Sequence, residues 1–297
     1  MNGRPLPPSR DLRLVHVDAR ERQSVVSLRP GGPSFGGAEL AICAGPCAVE
    51  SREQIVATAA AVARAGANVL RGGAYKPRTS PYSFQGLGRD GLAMMREAAD
   101  LYGLAVVTEV LDPRDAEIVA ESAEMLQIGA RNMQNTALLR AVGETGKPVL
   151  LKRGLAATVD EWLLAAEYIA LTGNERIVLC ERGVRSFDPA TRNVLDLAVV
   201  PLLARRTHLP AIVDPSHGTG VAALVAPMGL AAVAAGAAGI MVEVHPDPAS
   251  AVSDGMQSLT FAEFESLMES MPAVAAAVGR RLPQRFAGSS LNAITHP

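Results

Sequence analysis

From residue 41 onward, short apolar runs rich in β-branched residues alternate with longer Ala-rich segments whose apolar positions recur at helical spacing. Eight such runs, at 41–46, 68–73, 105–110, 125–130, 148–154, 177–183, 211–217 and 239–245, end in Gly or a polar residue. Amphipathic segments between them, such as 52–65, 91–102, 158–171 and 191–204, are long enough for right-handed crossovers between parallel strands. Eight near-continuous apolar strands, each followed by a helix, predict an α/β protein with a closed (β/α)8 TIM barrel rather than an open doubly wound sheet. No Gly-x-Gly-x-x-Gly follows the first run, which removes the fingerprint of a dinucleotide fold.

Residues 1–38 differ, with six arginines, several Pro and Gly residues, and one alternating piece at 12–17 expected to form a strand. They predict a short N-terminal extension and no regulatory domain, because a domain needs about 50 residues. The catalytic barrel is expected over 39–285 and a C-terminal tail over 286–297.

Composition narrows the class. The chain has 297 residues, 48% hydrophobic and 20% charged, with 28 basic against 30 acidic side chains and a formal net charge of -2. Neither disorder nor a broad basic face for nucleic acid follows from these values. Three cysteines cannot build a disulfide framework and point to a reducing, cytoplasmic setting. The prolines and arginines of residues 1–10 do not form a secretory signal, and no charge-free apolar stretch of about 18 residues predicts a membrane span.

Barrel enzymes carry their chemistry at the carboxyl ends of the strands. Arg71, Lys76, Arg131, Lys152 and Arg182 come from the ends of the second, fourth, fifth and sixth runs and are expected to converge on one mouth. Such a gathering of cations implies an anionic ligand with a phosphate and a carboxylate, whereas each residue taken alone also reads as a solvated rim charge. Cys47, His217, Glu243 and Asp254 lie at strand ends one, seven and eight and in the loop after the eighth, neighbours in a closed barrel. Mixed S, N and O donors suit a divalent ion such as Mn, Co, Fe or Zn. Taken singly, Cys47 also reads as an inert buried residue and His217 as a structural histidine. Cys43, Cys180 and Trp162 read as packing residues. The stretch 76–80, Lys-Pro-Arg-Thr-Ser, can hold a second phosphate on a Pro-fixed turn, or be an ordinary surface turn.

The stretches AGPCAVE at 44–50, LRGGAYKPRTSPYSFQGLG at 70–88, QIGARN at 127–132, LKRG at 151–154, CERG at 180–183, DPSHG at 214–218 and VEVHP at 242–246 carry a resemblance. Together the chain resembles the 3-deoxy-7-phosphoheptulonate (DAHP) synthases of the type I beta group, which share a barrel with the KDO8P synthases. The resemblance implies a metal-dependent condensation of phosphoenolpyruvate with erythrose 4-phosphate and water, the first step of the shikimate route. It implies that Arg131 and Arg182 bind the phosphate of phosphoenolpyruvate, that Arg71, Lys76 and Lys152 bind its carboxylate side, and that Arg78 and Thr79 bind the sugar phosphate. Cys47, His217, Glu243 and Asp254 match the family's metal ligands. Lys76 stands among the catalytic residues, and Glu109 and His217 are candidates for activating the water. The alternatives are a synthase taking arabinose 5-phosphate and a non-catalytic barrel that binds phosphorylated ligands. A homo-oligomer, dimer or tetramer, is expected, with a separate chorismate mutase as a candidate partner. Where the family commonly has a pair of arginines after 217–220, this chain has Val221 and Ala222.

Overall fold

The structure, a computed structural model, describes residues 12–284. A two-stranded antiparallel hairpin, β1 (Val26–Ser27) and β2 (Ser34–Phe35), precedes the barrel. The barrel strands are β3 (Ala41–Gly45), β4 (Val69–Arg71), β5 (Ala105–Glu109), β6 (Met125–Ile128), β7 (Val149–Lys152), β8 (Ile177–Glu181), β9 (Ala211–Val213) and β10 (Gly239–Glu243). Every neighbouring pair is parallel, and β10 closes on β3 with Glu243 opposite Gly45. The expected α/β barrel is therefore the fold.

The helices are α1 (Arg52–Ala65), α2 (Arg89–Leu101), α3 (Ala116–Ser122), α4 (Thr136–Glu144), α5 (Val159–Ala170), α6 (Val199–Leu203), α7 (Pro215–Thr219), α8 (Ala222–Ala234) and α9 (Phe261–Ala277). Local sequence sets several of their ends. Ser51 caps α1 through the Gln54 N–H, and Gly66 ends it in the left-handed region at φ 109°. Thr158 with Glu161, and Thr260 with Glu263, form reciprocal capping boxes at α5 and α9.

Alternation along the strands separates two apolar layers. Ile42, Leu70, Val106, Leu126, Leu151, Leu179, Val213 and Ile240 point outward and pack with helix residues such as Val62, Met95 and Trp162. Cys43, Val69, Val107, Met125, Leu150, Cys180, Ile212 and Met241 point inward and fill the barrel. Two residues beyond each inward apolar position stand Gly45, Arg71, Glu109, Gln127, Lys152, Arg182, Asp214 and Glu243. In seven of the eight strands the apolar filling thus gives way to a polar or charged side chain, Gly45 being the exception, and these side chains form the floor of the mouth.

The amino-terminal end of the barrel is sealed by the hairpin. Val26, Leu28 and Phe35 join the interior cluster, with Phe35 at 0% exposure. Truncating Phe35 to alanine is expected to cost about 3–5 kcal/mol of stability. Donor and cation geometry at the opposite end should persist, so thermal melting should fall while ligand affinity well below the transition stays within about twofold of the parent's.

Two local expectations fail. Residues 12–17 form no strand: the Glu167 Oε1 accepts the backbone N–H groups of Arg13, Leu14 and Val15 at 2.6, 2.8 and 3.0 Å, and three successive N–H groups aimed at one oxygen cannot alternate as in a strand. Only His16 bridges, to Thr207, before a 3-10 turn at Val17–Ala19. Nor is 191–204 one helix; only Val199–Leu203 is helical. Thr191 Oγ1 donates to the Asn193 carbonyl, Asn193 Nδ2 to the His217 carbonyl, and Asp196 Oδ1 accepts from the Val199 N–H, so side chains take over the backbone bonding a helix would need. The expected tail at 286–297 lies outside the described residues.

Candidate active site

At the carboxyl end of the strands lies a cavity of about 500 Å³. Eight basic side chains line it, the five anticipated ones together with Arg78, Arg185 and Arg192, against two carboxylates, Glu109 and Asp254. The anticipated cations divide by partner. Arg71 Nη1 donates to Glu243 Oε1 and to the Pro46 carbonyl, at 2.9 and 2.8 Å. Lys152 Nζ pairs with Asp214 Oδ2 at 2.5 Å. Arg131 and Arg182 make no ion pair among the described residues; Arg182 is only 4% exposed, and its one side-chain hydrogen bond is a 3.5 Å contact to the Gly183 carbonyl. Burial pulls the Arg182 guanidinium below the usual arginine range, and repulsion from Arg192 adds to this against the pull of Asp214. A buried cation without a counter-charge at the wall of a cavity is a receptor for an anion.

The four anticipated ligands meet on one side. Donor atoms of Cys47, Glu243 and Asp254 all lie within 4.8 Å of one another. His217 Nε2 stands 3.5 Å from Glu243 Oε1 and 4.0 Å from Asp254 Oδ2, and Cys47 Sγ stands 3.2 Å from Asp254 Oδ2. Chain geometry explains the convergence. Glu243 is the inward residue ending β10, Cys47 follows β3 beside it, and His217 sits on α7, immediately after β9. Asp214 caps α7 by accepting the His217 N–H on Oδ1 and binds His217 Nδ1 through Oδ2, at 2.9 and 2.8 Å. With Nδ1 committed as donor, Nε2 presents its lone pair to the cluster, the arrangement of a carboxylate-oriented metal ligand. A thiol, an imidazole and two carboxylates so arranged suit a borderline divalent ion.

Electrostatics within the cluster favour anionic carboxylates. Burial would raise both, but His217 and Arg71 outweigh it at Glu243, and His217 and Arg192 hold Asp254 at about 2. Burial, reinforced by Glu243 and only partly offset by Lys76, pushes the Cys47 thiol up to about 12. The thiol is thus protonated unless a cation binds it, and uptake of an ion releases a proton.

Lys76 bridges the two halves of the site. Its Nζ donates to the Cys47 carbonyl at 2.8 Å and lies 3.0 Å from Cys47 Sγ, while it still lines the cavity. Gly73 admits it, since a Cβ there would meet Lys76 Cδ at 2.6 Å. Arg78, its Nε bonded to the Phe84 carbonyl, and Thr79 form the outer rim. Glu109 faces the cavity, its Oε2 accepting from Gln127 Nε2 at 3.3 Å. A Cβ on Gly129 would lie 1.9 Å from Glu109 Oε1. Gly129→Ala is therefore expected to displace the Glu109 carboxylate and lower kcat by at least about tenfold with smaller change in metal affinity, measured by steady-state kinetics beside a metal titration.

Sequence reasoning left Asp214, Arg185, Arg192, Gln127 and Gln257 without roles. The Asp-x-x-His spacing at 214–217 was a usable signal for Asp214, since it puts the carboxylate at a helix start three residues before the imidazole. Gln127 was open to the same reasoning as Glu109, being the inward end of its strand.

A closed parallel barrel with a polar, charge-lined mouth at its carboxyl end is the architecture of the (β/α)8 enzymes. Residues 28–278 match the DAHP synthetase I family, and the chain belongs to that family. It is 53% identical over 267 residues to the phospho-2-dehydro-3-deoxyheptonate aldolase of Thermotoga maritima, covering 90% of this chain and 78% of that protein. Identity to a 2-dehydro-3-deoxyphosphooctonate aldolase of Rhodopseudomonas palustris is 36% over 271 residues, 84% of this chain and 93% of that one. The crystal structure of the Thermotoga maritima DAHP synthase superposes with a TM-score of 0.88 at 52% identity, over 91% of this chain and 79% of that one. A truncated form of that organism's 3-deoxy-D-arabino-heptulosonate 7-phosphate synthase gives 0.84 at 49% identity, over 90% and 98%. No helix among the described residues is long and apolar enough to cross a membrane.

Proposed function

We propose that the chain is a metal-dependent DAHP synthase that condenses phosphoenolpyruvate with erythrose 4-phosphate and water, giving 3-deoxy-D-arabino-heptulosonate 7-phosphate and phosphate. The observation that carries this reading is that unpaired cations line one cavity together with His217 and Asp254, while Cys47 and Glu243 stand directly beside those two donors. The 53% identity to the Thermotoga maritima enzyme supports it. Three free cysteines support a reducing, cytoplasmic setting.

In this reading Arg131 and Arg182 hold the phosphate of phosphoenolpyruvate. Arg71, Lys76 and Lys152 face its carboxylate side and fix C3 toward the second substrate, whose phosphate lies on Arg78 and Thr79 at the rim. A divalent ion on Cys47, His217, Glu243 and Asp254 would supply Lewis acidity toward the aldehyde oxygen. C3 of the enol phosphate forms a bond to the aldehyde carbon, and the aldehyde oxygen takes a proton to become a hydroxyl. C2, now electron-poor, is captured by water. Cleavage of the C2–O bond to phosphorus then expels phosphate and leaves the ketone. Both His217 ring nitrogens are already engaged, Nδ1 with Asp214 and Nε2 with the donor cluster, so Glu109 is the better acceptor for the proton of the attacking water.

The test is phosphate release and product mass with phosphoenolpyruvate and either erythrose 4-phosphate or arabinose 5-phosphate, with Mn or Co and with chelator. A seven-carbon product, lost on chelation, is expected. The 36% relative makes an eight-carbon product the rival outcome. Phosphoenolpyruvate binding without phosphate release from either sugar would overturn catalysis altogether.

A further inference from the structure

We infer that Gln257 and Arg192 are positioning residues that hold one oxygen of each carboxylate, Glu243 and Asp254, away from the donor cluster, leaving each acid a single oxygen for an ion. The inference rests on the metal-site reading above and specifies how many oxygens that site offers. Gln257 is 2% exposed and its Nε2 donates to Glu243 Oε2 at 2.6 Å. The amide is locked in that sense, because its Oε1 accepts from Arg192 Nη1 at 2.7 Å. The same Arg192 nitrogen reaches Asp254 Oδ1 at 3.3 Å. The other oxygens point inward: Glu243 Oε1 lies 3.5 Å from His217 Nε2 and keeps a lone pair for an ion beside the one that accepts from Arg71 Nη1, and Asp254 Oδ2 lies 3.2 Å from Cys47 Sγ.

Arg192 is itself fixed to the segment that carries His217. Its N–H donates to the Thr219 carbonyl at 2.9 Å, and the next residue, Asn193, donates through its backbone to Gly218 and through its side chain to the His217 carbonyl. Gly220 permits this approach, since a Cβ there would lie 2.5 Å from Arg192 Cβ. Asp254 is the only non-glycine residue with positive φ among the described residues, at 52°, so its presentation is held against backbone strain. One continuous path, Glu243 to Gln257 to Arg192 to Asp254, therefore ties three ligand-bearing segments together. Single oxygens from two acids, with a thiolate and an imidazole, suit a compact transition ion, whereas bidentate acids suit the larger Ca.

The test is Mn(II) titration of the purified protein by electron paramagnetic resonance, beside melting of the metal-free form. Gln257→Met removes both amide contacts at similar volume and is expected to raise the Mn dissociation constant at least about tenfold. Arg192→Met, at an exposed position that does not threaten folding, is expected to raise it about fivefold, and Arg192→Lys, which keeps a donor, to restore it to within twofold. Melting of the metal-free variants within about 2 °C of the parent would separate positioning from packing. Dissociation constants within twofold of the parent in both Met variants, or losses that merely track a falling melting temperature, would overturn the inference. A parent protein that binds no Mn(II) would overturn the donor reading itself, and this inference with it.

Discussion

Replacing Cys47 by serine is expected to weaken binding of Mn or Co by more than about 100-fold and to lower activity in proportion at limiting metal. Altering residues that merely orient a ligand costs about 10–100-fold in metal affinity, so loss of a ligand should exceed that range. The substitution is small in volume, and its site is buried where a hydroxyl retains a neighbour, Ser253 Oγ, now 3.0 Å from the sulfur. The scaffold should therefore survive while the chemistry changes. A thiolate gives a borderline ion a soft, anionic donor, and a serine hydroxyl supplies a neutral oxygen. Excess metal should recover part of the activity, and the recovery should be greater for Mn, which tolerates oxygen, than for Co. Metal-titrated phosphate release checks both points. Unchanged activity of the variant, or full activity of the parent in strong chelator, would remove Cys47 from the donor set.

The barrel was legible because its physics is periodic. The helix at 52–65 coincides with α1 to the residue, and each apolar run contains its strand. The mouth was legible for the same reason: a residue such as Lys152 or Glu243 ends an apolar run in phase with the inward side, and the closed barrel brings such ends together. Where structure depends on a side chain reaching across the chain, the pattern failed. Residues 12–17 alternate like a strand, yet the N–H groups of Arg13, Leu14 and Val15 belong to Glu167, more than 150 positions away. Residues 191–204 have helical apolar spacing, yet Asn193 and Asp196 bind other backbone and Arg153. The hairpin that plugs the barrel is only two pairs long, too short to register as alternation. Gln257 was invisible for a related reason. A lone glutamine ending a three-residue 3-10 turn has no periodicity, and its value lies in the two partners that folding delivers to its amide.

Arg182→Met is expected to do opposite things to the ligand-free protein and to its chemistry. In the ligand-free protein the guanidinium is buried with no carboxylate in direct contact, and the more distant charge of Asp214 offsets its desolvation only in part. A methionine of similar reach should relieve that cost, adding about 1 kcal/mol of stability and raising the melting temperature by about 2–4 °C for a barrel of this size. With phosphoenolpyruvate the order should invert. In the proposed arrangement the parent would gain a charge-assisted contact between Arg182 and the phosphate, while the variant would leave the phosphate to Arg131 and the other cations that line the cavity. Removing one member of a buried ion pair costs about 3–5 kcal/mol, which corresponds to a fall of roughly 10²–10⁴ in kcat/KM for phosphoenolpyruvate. Metal affinity should stay close to the parent's, because Arg182 touches none of the four donors. The measurement is a melting curve for each protein with and without phosphoenolpyruvate, beside steady-state kinetics. A variant that melts lower than the parent in the absence of ligand would make Arg182 a structural residue, and equal stabilisation of both proteins by phosphoenolpyruvate would place the phosphate elsewhere in the cavity.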